Sequence, residues 1–247
     1  MLIIVRRRTL IVASSFIGLL FLILLPVSMF HNRNIPTASI PNVVPEVRIR
    51  TPAVAFTFDD GPDPQSTPAI IGILAKHRAK ATFFMIGTQA EKYPELVRKV
   101  YQEGHEIGNH GYRHSYSLYR NVLRAVADIE CAQDLIYRIT GCRPVVYRPP
   151  GGYISEELAL ALADKGLTVV TWSWVQDTKD WRSPPAEAQA EHILRHIKPG
   201  QILIFHDSAR SCQQTVKAVD ICLDKLASRG YRFLTVSQLI GLQGHEE

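Results

Sequence analysis

The sequence has few cysteines, and none of their spacings matches a zinc-binding knuckle. Only four of its 247 residues are cysteine, and no two of them form a CxxC pair. A structural zinc site built on such pairs is therefore excluded. Three disulfide pairings of Cys131, Cys142, Cys212 and Cys222 remain open, as do four buried thiols.

The sequence also lacks a dense excess of positive charge. Its formal net charge is +5, but three of its 28 basic residues, Arg6, Arg7 and Arg8, stand within 30 residues that contain no acidic residue. Taking these three from the 28 leaves 25 basic against 23 acidic residues, an excess of +2. A nearly balanced domain argues against nucleic acid as a partner.

No long repeat and no low-complexity tract interrupts the chain. Hydrophobic residues make up 46% of the sequence and charged residues 21%. These are ordinary values for a globular protein, and they argue against wholesale disorder, a collagen-like repeat and a long coiled coil.

Charged residues are absent from Thr9 to Phe30, a run of 22 residues that are mostly Leu, Ile, Val and Phe. A helix of that length spans about 33 Å, enough for a hydrocarbon core of roughly 30 Å. Three arginines precede the run, which predicts a cytoplasmic N-terminus and an extracellular remainder. We therefore predict a single-pass transmembrane signal anchor in residues 1–30, with the membrane as a partner. A cleaved signal peptide, which would secrete the domain, is the alternative.

Residues 31–51 contain three prolines and no periodic pattern, which predicts an extended linker. From 52 to 242, short apolar runs alternate with amphipathic stretches, and 243–247 remain as a tail. The predicted strands are Ala53–Phe58, Ala81–Ile86, Glu106–Gly108, Val145–Tyr147, Thr168–Trp174, Gln201–Phe205 and Arg232–Val236. The predicted helices are Thr67–Arg78, Tyr93–Glu103, Leu118–Thr140, Glu156–Lys165, Pro185–Ile197 and Thr215–Ser228.

This alternation predicts an α/β domain with a parallel sheet and helices outside it. About seven strands favour a distorted, incomplete (β/α) barrel, with a doubly wound open sheet as the alternative. In both architectures the active site lies at the C-terminal ends of the strands. The polar residues that follow the predicted strands are Asp59, Asp60, Asn109, His110, Arg148, Asp177, Asp180, His206 and Asp207.

Two histidines stand four residues apart in the segment HGYRH, as His110 and His114. This spacing lets two imidazoles converge on one metal ion. Asp60 offers a hard oxygen ligand from the end of another strand. Two histidines and one carboxylate, with positions left for water, are typical of a catalytic metal site. The alternatives are two solvated histidines and an Asp59-Asp60 turn.

Asp59 precedes the proposed ligand Asp60 in the sequence. If Asp60 binds the metal, Asp59 is expected to lie beside a water molecule bound to that metal. It can therefore take a proton from that water as the water attacks a carbonyl. Arg148 is placed to pair with Asp59 and to hold it ionised and oriented. Prolines and glycines follow Arg148, and a backbone N–H in this loop can help the metal to hold a developing oxyanion.

His206 follows an apolar strand, and its imidazole suits the role of proton donor to a leaving group. Asp180, with Asp177 as the alternative, can keep that imidazole protonated. Trp181 and Leu203 can form an apolar wall around a small acyl group, with packing in the core as the alternative for both.

Five segments resemble the motifs of the polysaccharide deacetylases, the NodB-homology domains of carbohydrate esterase family four. Thr57–Pro62 (TFDDGP) is similar to the first motif and His110–His114 to the second, HxxxH. Arg148–Gly152 resembles the third, Asp180-Trp181 the fourth, and Leu203–His206 the fifth, LxxH. They occur in family order and span nearly the whole predicted domain.

The resemblance implies a distorted (β/α) barrel with a divalent metal, usually zinc, while cobalt, nickel, manganese and iron remain open. It implies Asp60, His110 and His114 as metal ligands, Asp59 as base and His206 as acid. It also implies that Arg148 tunes Asp59 and that Asp180 tunes His206. The implied reaction is hydrolysis of N-acetyl groups on a polymer containing GlcNAc or MurNAc, with release of acetate.

The third motif departs from the family pattern, because Gly151 stands where an aromatic residue is usual. Glycine keeps the backbone N–H implied to bind the oxyanion, but it gives up a side-chain wall of the substrate groove. Peptidoglycan is the favoured polymer, and chitin oligomers or an exopolysaccharide are alternatives. Two other functions stay open: a catalytically silent glycan-binding member, and a metal hydrolase of another amide or ester. The oligomeric state is left open.

Overall fold

The computed structural model of the protein describes residues 40–208 and 212–246. The transmembrane segment predicted within residues 1–30 lies outside these residues. Among the helices that are described, none is long and apolar enough to cross a bilayer.

Strands and helices alternate along the described chain. The strands are β1 Val43–Val44, β2 Ala53–Asp59, β3 Ala81–Met85, β4 Glu106–Asn109, β5 Val146–Tyr147, β6 Thr168–Val170, β7 Ile202–His206 and β8 Arg232–Phe233. The α-helices are α1 Ser66–Lys76, α2 Gly87–Lys92, α3 Pro94–Gln102, α4 Val122–Thr140, α5 Glu156–Ala163, α6 Ala186–His196, α7 Cys212–Ser228 and α8 Val236–Glu246. Short 3₁₀ turns lie at Leu118–Arg120, Pro150–Gly152, Trp174–Gln176 and Asp180–Arg182.

The described strands form one sheet in the order β1-β6-β5-β4-β3-β2-β7, and β8 pairs with the start of β2. Every neighbouring pair along this order is parallel. Beyond β6, the Ser173 backbone N–H donates to the Ile202 carbonyl of β7 at 3.0 Å, which bends the sheet towards closure. The predicted α/β fold, a distorted half-barrel of seven parallel strands, is confirmed.

The central strands β2 and β3 are buried on both faces, as parallel strands covered by helices must be. All seven residues of β2 are buried. Along β7 the side chains alternate between two cores: Leu203 and Phe205 pack towards the outer helices, and Ile202 belongs to a separate inner core. This two-residue alternation decides which side chains of a strand can face the interior of the half-barrel.

Part of the predicted linker 31–51 differs from the expectation, because some of its residues belong to the folded domain. Val43–Val44 forms β1 beside β6, and Ile40 and Val47 are buried. The Val47 backbone N–H donates to the Gly200 carbonyl at 2.8 Å. A strand of two residues is too short to produce an alternating pattern, so only its tertiary pairing defines it.

Two helices have no counterpart among the sequence predictions, α2 and α8. α8 continues to residue 246 and so includes most of the predicted tail 243–247. Its start is capped reciprocally: the Thr235 N–H donates to the Gln238 side chain, and the Gln238 N–H donates to the Thr235 hydroxyl. This is the Thr-x-x-Gln capping box, a signal that was present in the sequence.

The predicted strand Thr168–Trp174 is shorter in the structure and ends at Val170. All four cysteines are free thiols, so none of the three disulfide pairings forms in this structure. Cys222 is buried in the outer core, while Cys131 and Cys142 are exposed. The alternative of four buried thiols therefore holds for Cys222 alone.

Candidate active site

A cavity of about 450 Å³ opens at the C-terminal ends of the strands, where the sequence predicted the site. Its lining combines titratable side chains with a group of aromatic rings. The lining residues are Asp59, Asp60, His110, His114, Tyr116, Gly151, Trp172, Trp174, Asp177, Trp181, Ile204 and His206.

Asp60, His110 and His114 bring three potential metal-ligand atoms together, all within 4.8 Å of one another. The Nε2 atoms of His110 and His114 lie 3.5 and 3.3 Å from Oδ1 of Asp60. Two ligand atoms bound at about 2.1 Å to a tetrahedral ion stand roughly 3.4 Å apart. The spacing of these atoms therefore fits a small divalent cation.

The ring of His110 is oriented by the backbone. Its Nδ1 lies 2.7 Å from the Arg148 carbonyl oxygen, which can only accept a hydrogen bond. Nδ1 therefore carries the proton, and in the neutral ring the Nε2 lone pair faces Asp60. His110 is buried, whereas Asp60 and His114 are half-buried.

Asp60 contributes an ionised carboxylate to the cluster. Burial opposes ionisation of Asp60, but the hydrogen bond and charge of His110, with the charges of His206 and His114, hold the pKa of Asp60 well below its usual value. A carboxylate oxygen and two imidazole nitrogens on one side of an open cavity suit zinc, cobalt, nickel, manganese and iron alike.

Two ligands stand on backbone that few residues adopt. Asp60 has φ of 72° and His114 has φ of 50°, both in the left-handed region. The turn after Asp60 is also tightly packed, because a Cβ on Gly61 would lie 2.3 Å from Oδ2 of Asp207. Asp128 on α4 steadies the loop between the histidines by accepting the Tyr112 N–H at 2.8 Å.

Asp59 is held by Arg148, as the sequence predicted. Nη1 of Arg148 lies 2.7 Å from Oδ1 of Asp59 and also donates to the Thr57 hydroxyl. Nη2 donates to the Thr171 carbonyl at 2.7 Å. The other oxygen of Asp59, Oδ2, lies 3.9 Å from Nε2 of His110, so it faces the ligand cluster.

His206 is paired with Asp180, and Asp177 does not take that role. Nδ1 of His206 lies 2.6 Å from Oδ1 of Asp180, and the backbone N–H of His206 donates to Oδ2. The Thr215 hydroxyl donates to Oδ2 as well, at 2.9 Å. Burial alone would lower the pKa of His206, but its hydrogen bond to Asp180 and the charges of Asp180, Asp59 and Asp60 raise that pKa to about 9. Nδ1 is thereby occupied, and Nε2 is the ring nitrogen left for a ligand.

The loop after Arg148 brings Gly151 to the cavity in a left-handed conformation, with φ of 68°. The space that a side chain at position 151 would fill is occupied by the ring of Tyr116. A Cβ on Gly151 would lie 3.0 Å from Cε1 of Tyr116. Trp181 lines the cavity as predicted and is 44% exposed.

Leu203 does not face the cavity, and the prediction for this residue is wrong. Leu203 is buried in the core between the sheet and the outer helices, while its neighbour Ile204 lines the cavity. The reason is the alternation of β7: residues 202, 204 and 206 share one face, so the residue on the His206 side is Ile204.

Sequence reasoning missed three other aromatic residues of the lining: Tyr116, Trp172 and Trp174. Tyr116 lies two residues beyond the HxxxH segment, and both tryptophans follow β6. The available signals were the closeness of Tyr116 to the predicted ligand His114 and the position of Trp172 and Trp174 at the end of the predicted strand Thr168–Trp174.

The fold and the site together define a hydrolase-like half-barrel with an Asp-His-His metal centre. The family model for polysaccharide deacetylases matches residues 47–170. A peptidoglycan-N-acetylglucosamine deacetylase of Bacillus cereus is 40% identical over 187 residues, covering 76% of this chain and 87% of that protein. The chain therefore belongs to the polysaccharide deacetylase family.

Two further comparisons agree with this assignment. The peptidoglycan-N-acetylmuramic acid deacetylase PdaC of Bacillus subtilis is 34% identical over 186 residues, which are 75% of this chain but only 38% of that longer protein. The crystal structure of a peptidoglycan N-acetylglucosamine deacetylase bound to 4-naphthalen-1-yl-N-oxidanyl-benzamide has a TM-score of 0.74 and 32% identity. That likeness covers 81% of this chain and 93% of the other. The chain is a polysaccharide deacetylase with an Asp-His-His metal site.

Proposed function

We propose that this enzyme removes N-acetyl groups from GlcNAc residues of peptidoglycan and releases acetate. One observation carries the proposal. Asp59 and His206, a held carboxylate and an imidazole with a raised pKa, line the same cavity as the cluster of Asp60, His110 and His114. A base, an acid and a cation site in one cavity are what amide hydrolysis requires.

The ligand cluster and Gly151 serve to activate the acetamido carbonyl. Asp60, His110 and His114 would hold a divalent ion, which would supply Lewis acidity to the acetamido carbonyl and to water. Gly151 lines the same cavity, and its backbone N–H is our candidate donor to the carbonyl oxygen as that oxygen gains negative charge.

Asp59 acts as the general base. Arg148 occupies its Oδ1, so Oδ2, on the side of the ligand cluster, is the oxygen that receives a proton. It takes that proton from a water whose oxygen forms a bond to the acetyl carbon. Asp59 is neutral after this transfer, and we assign the donation of a proton to the leaving nitrogen to a second group that is already protonated.

His206 acts as the general acid. The bond between the acetyl carbon and nitrogen breaks as the nitrogen receives a proton from Nε2 of His206. Asp180 holds the opposite nitrogen, which fixes the ring and stabilises its protonated form. The products are acetate and a free amine on the sugar.

The choice of polymer rests on the relatives. Peptidoglycan-N-acetylglucosamine and peptidoglycan-N-acetylmuramic acid are the substrates named for the two sequence relatives. The higher identity, 40% against 34%, supports GlcNAc over MurNAc. Chitin-like oligomers share the GlcNAc unit and are the alternative substrate.

Acetate release from purified peptidoglycan, from GlcNAc oligomers and from acetylated xylan tests the proposal. We expect release from the first two, loss with a chelator, and recovery when zinc or cobalt is added back. Mass spectrometry of digested muropeptides identifies which sugar has lost 42 Da, roughly the mass difference of an acetyl group. The matched variants are His206→Ala, expected to lose most of its activity, and His196→Ala, a half-buried histidine at the end of α6 and outside the cavity. No acetate from any glycan would favour the catalytically silent alternative.

We also propose that residues 1–30 anchor the enzyme in the cell membrane with the catalytic domain outside. The support is the uncharged run Thr9–Phe30 preceded by three arginines. Protease added to intact cells should remove the domain and leave a small membrane-bound fragment. Recovery of the soluble domain in the medium would support the cleaved signal peptide instead.

A further inference from the structure

The active-site cavity carries more exposed aromatic surface than its metal chemistry needs. Tyr116 is 63% exposed, Trp174 49% and Trp181 44%, and all three line the cavity. Large aromatic side chains left in water at the rim of a polar site mark a surface that a ligand covers. Tyr116 is the most exposed of the three.

Tyr116 is held against the site by its neighbours. Its ring makes a T-shaped contact with the ring of His114, with centroids 5.6 Å apart and an interplanar angle of 77°. On the loop after Arg148, Gly151 leaves the ring room, since a Cβ there would come within 3.0 Å of Cε1. The ring can therefore stand in this place because residue 151 has no side chain.

We propose that Tyr116 binds a pyranose ring of the substrate by stacking and so determines affinity for the glycan. The inference rests on the proposed function and deepens it. Pyranoses with equatorial substituents expose axial C–H groups on both faces, and these groups pack against aromatic rings. The metal ligand His114 fixes the tyrosine next to the reacting acetyl group, so the stacked sugar is the deacetylated unit or its immediate neighbour.

The location of Tyr116 predicts an effect on binding rather than on chemistry. No described contact joins its hydroxyl to Asp59 or His206, the proposed base and acid. Removing the ring should therefore raise KM for oligosaccharides and leave kcat nearly unchanged. An aromatic contact of this kind corresponds to about a three- to tenfold change in affinity.

The test compares Tyr116→Ala and Tyr116→Phe with the zinc-loaded wild type on GlcNAc oligomers of increasing length. We expect Tyr116→Ala to raise KM roughly three- to tenfold with kcat within about twofold of the wild type. Tyr116→Phe should behave like the wild type, since the ring face is retained. Tyr101→Ala, which removes an exposed tyrosine on α3, is the matched control and should change nothing.

A second measurement separates this inference from the proposed function. Calorimetry with a GlcNAc tetramer in an Asp59→Asn background measures binding without turnover. Weaker binding after Tyr116→Ala supports the inference even if no acetate is ever released. Unchanged binding overturns the inference even in an active enzyme. Loss of metal from Tyr116→Ala also overturns it, because the ring would then act by supporting His114.

Discussion

Arg148 and Asp59 form an ion pair inside the protein. Nη1 of Arg148 lies 2.7 Å from Oδ1 of Asp59, and the two side chains are 0% and 4% exposed. The guanidinium also donates to Thr57 and to the carbonyls of Val170 and Thr171. Because the pair is buried and four of the five guanidinium N–H groups donate hydrogen bonds, it links the stability of the domain to the orientation of the proposed base.

Replacing Arg148 should destabilise the domain strongly. Arg148→Met leaves the Asp59 carboxylate buried without its partner, and breaking a buried pair costs about 3–5 kcal/mol of unfolding free energy. Arg143→Met removes a surface pair with Asp134, whose partners are 55% and 61% exposed, and should cost less than about 1 kcal/mol. Urea unfolding of both variants measures the difference. Equal losses would mean that the buried pair adds no special stability.

Replacing Asp59 by asparagine should separate metal binding from catalysis. An amide fills nearly the same volume and still accepts a hydrogen bond from Arg148, but it cannot take a proton from water. We expect normal metal content and acetate release lower by about 10²–10⁴-fold. Asp177→Asn, in the same cavity but away from Arg148, is the control and should stay close to the wild type. Activity of Asp59→Asn within a few-fold of the wild type would assign the base to another group.

The metal ligands should show little redundancy. Asp60→Ala, His110→Ala and His114→Ala each remove one of three converging donors, so each should lose both bound metal and turnover. Elemental analysis of the purified variants measures the first effect, and His196→Ala, a half-buried histidine of α6 outside the cavity, serves as control. Full metal occupancy in all three variants would contradict the proposed ligand set.

Much of this site could be predicted from the sequence, because parallel strands end at one rim. Asp59, Asp60, His110, Arg148 and His206 each follow or close a strand that the apolar runs identify, so their convergence follows from topology alone. Choosing Asp180 as the partner of His206 rested on the family motif as well as on this order.

Other features depend on tertiary contacts that carry no local signal. β1 is two residues long and is defined only by its pairing with β6. Leu203 was predicted to form part of an apolar wall around the acyl group, whereas strand alternation places Ile204 on the cavity face. Tyr116 occupies space left by Gly151, and that relation between two separate loops is visible only in the folded chain.

Asp207 should make the stability of the domain depend on pH. It is fully buried, and burial raises its pKa to about 7 although Ser66 and Thr67 donate hydrogen bonds to it. The ordinary value is 3.8, so the folded state binds more protons between these values. The stabilising contribution of Asp207 to the free energy of unfolding is therefore complete below about pH 4, and it is lost as the pH rises through about 7.

Asp207→Asn should remove this dependence. At pH 8 the variant avoids a buried charge and should gain on the order of 2–4 kcal/mol over the wild type, an advantage that shrinks as the pH falls to 5. Urea unfolding at both pH values measures this, with the exposed Asp134→Asn as control. A variant that is equally less stable at both pH values would show that the Ser66 and Thr67 hydrogen bonds outweigh the charge.

His206 should limit activity at high pH, because the proposed acid must carry a proton when the amide bond breaks. Asp180 contributes most to the raised pKa of about 9, while the charges of Asp59 and Asp60 add to it. A cation bound at Asp60 offsets part of that charge, so the basic limb of the pH–rate profile should lie at or below about pH 9. Asp180→Asn should move this limb to lower pH, since the imidazolium loses its main stabilising charge.

The leaving group provides the decisive comparison for His206. An amide nitrogen must be protonated before it departs, whereas an activated acetate ester leaves as a stable anion. His206→Ala should therefore lose roughly 10²-fold or more of its amide activity and much less of its ester activity, with metal content unchanged. It should also lose the basic limb seen in the wild type. Rates with a GlcNAc oligomer and with a nitrophenyl acetate, measured on the same zinc-loaded preparations, give both ratios. If the two activities fall by the same factor, His206 acts in substrate binding or in structure, and another group must supply the proton.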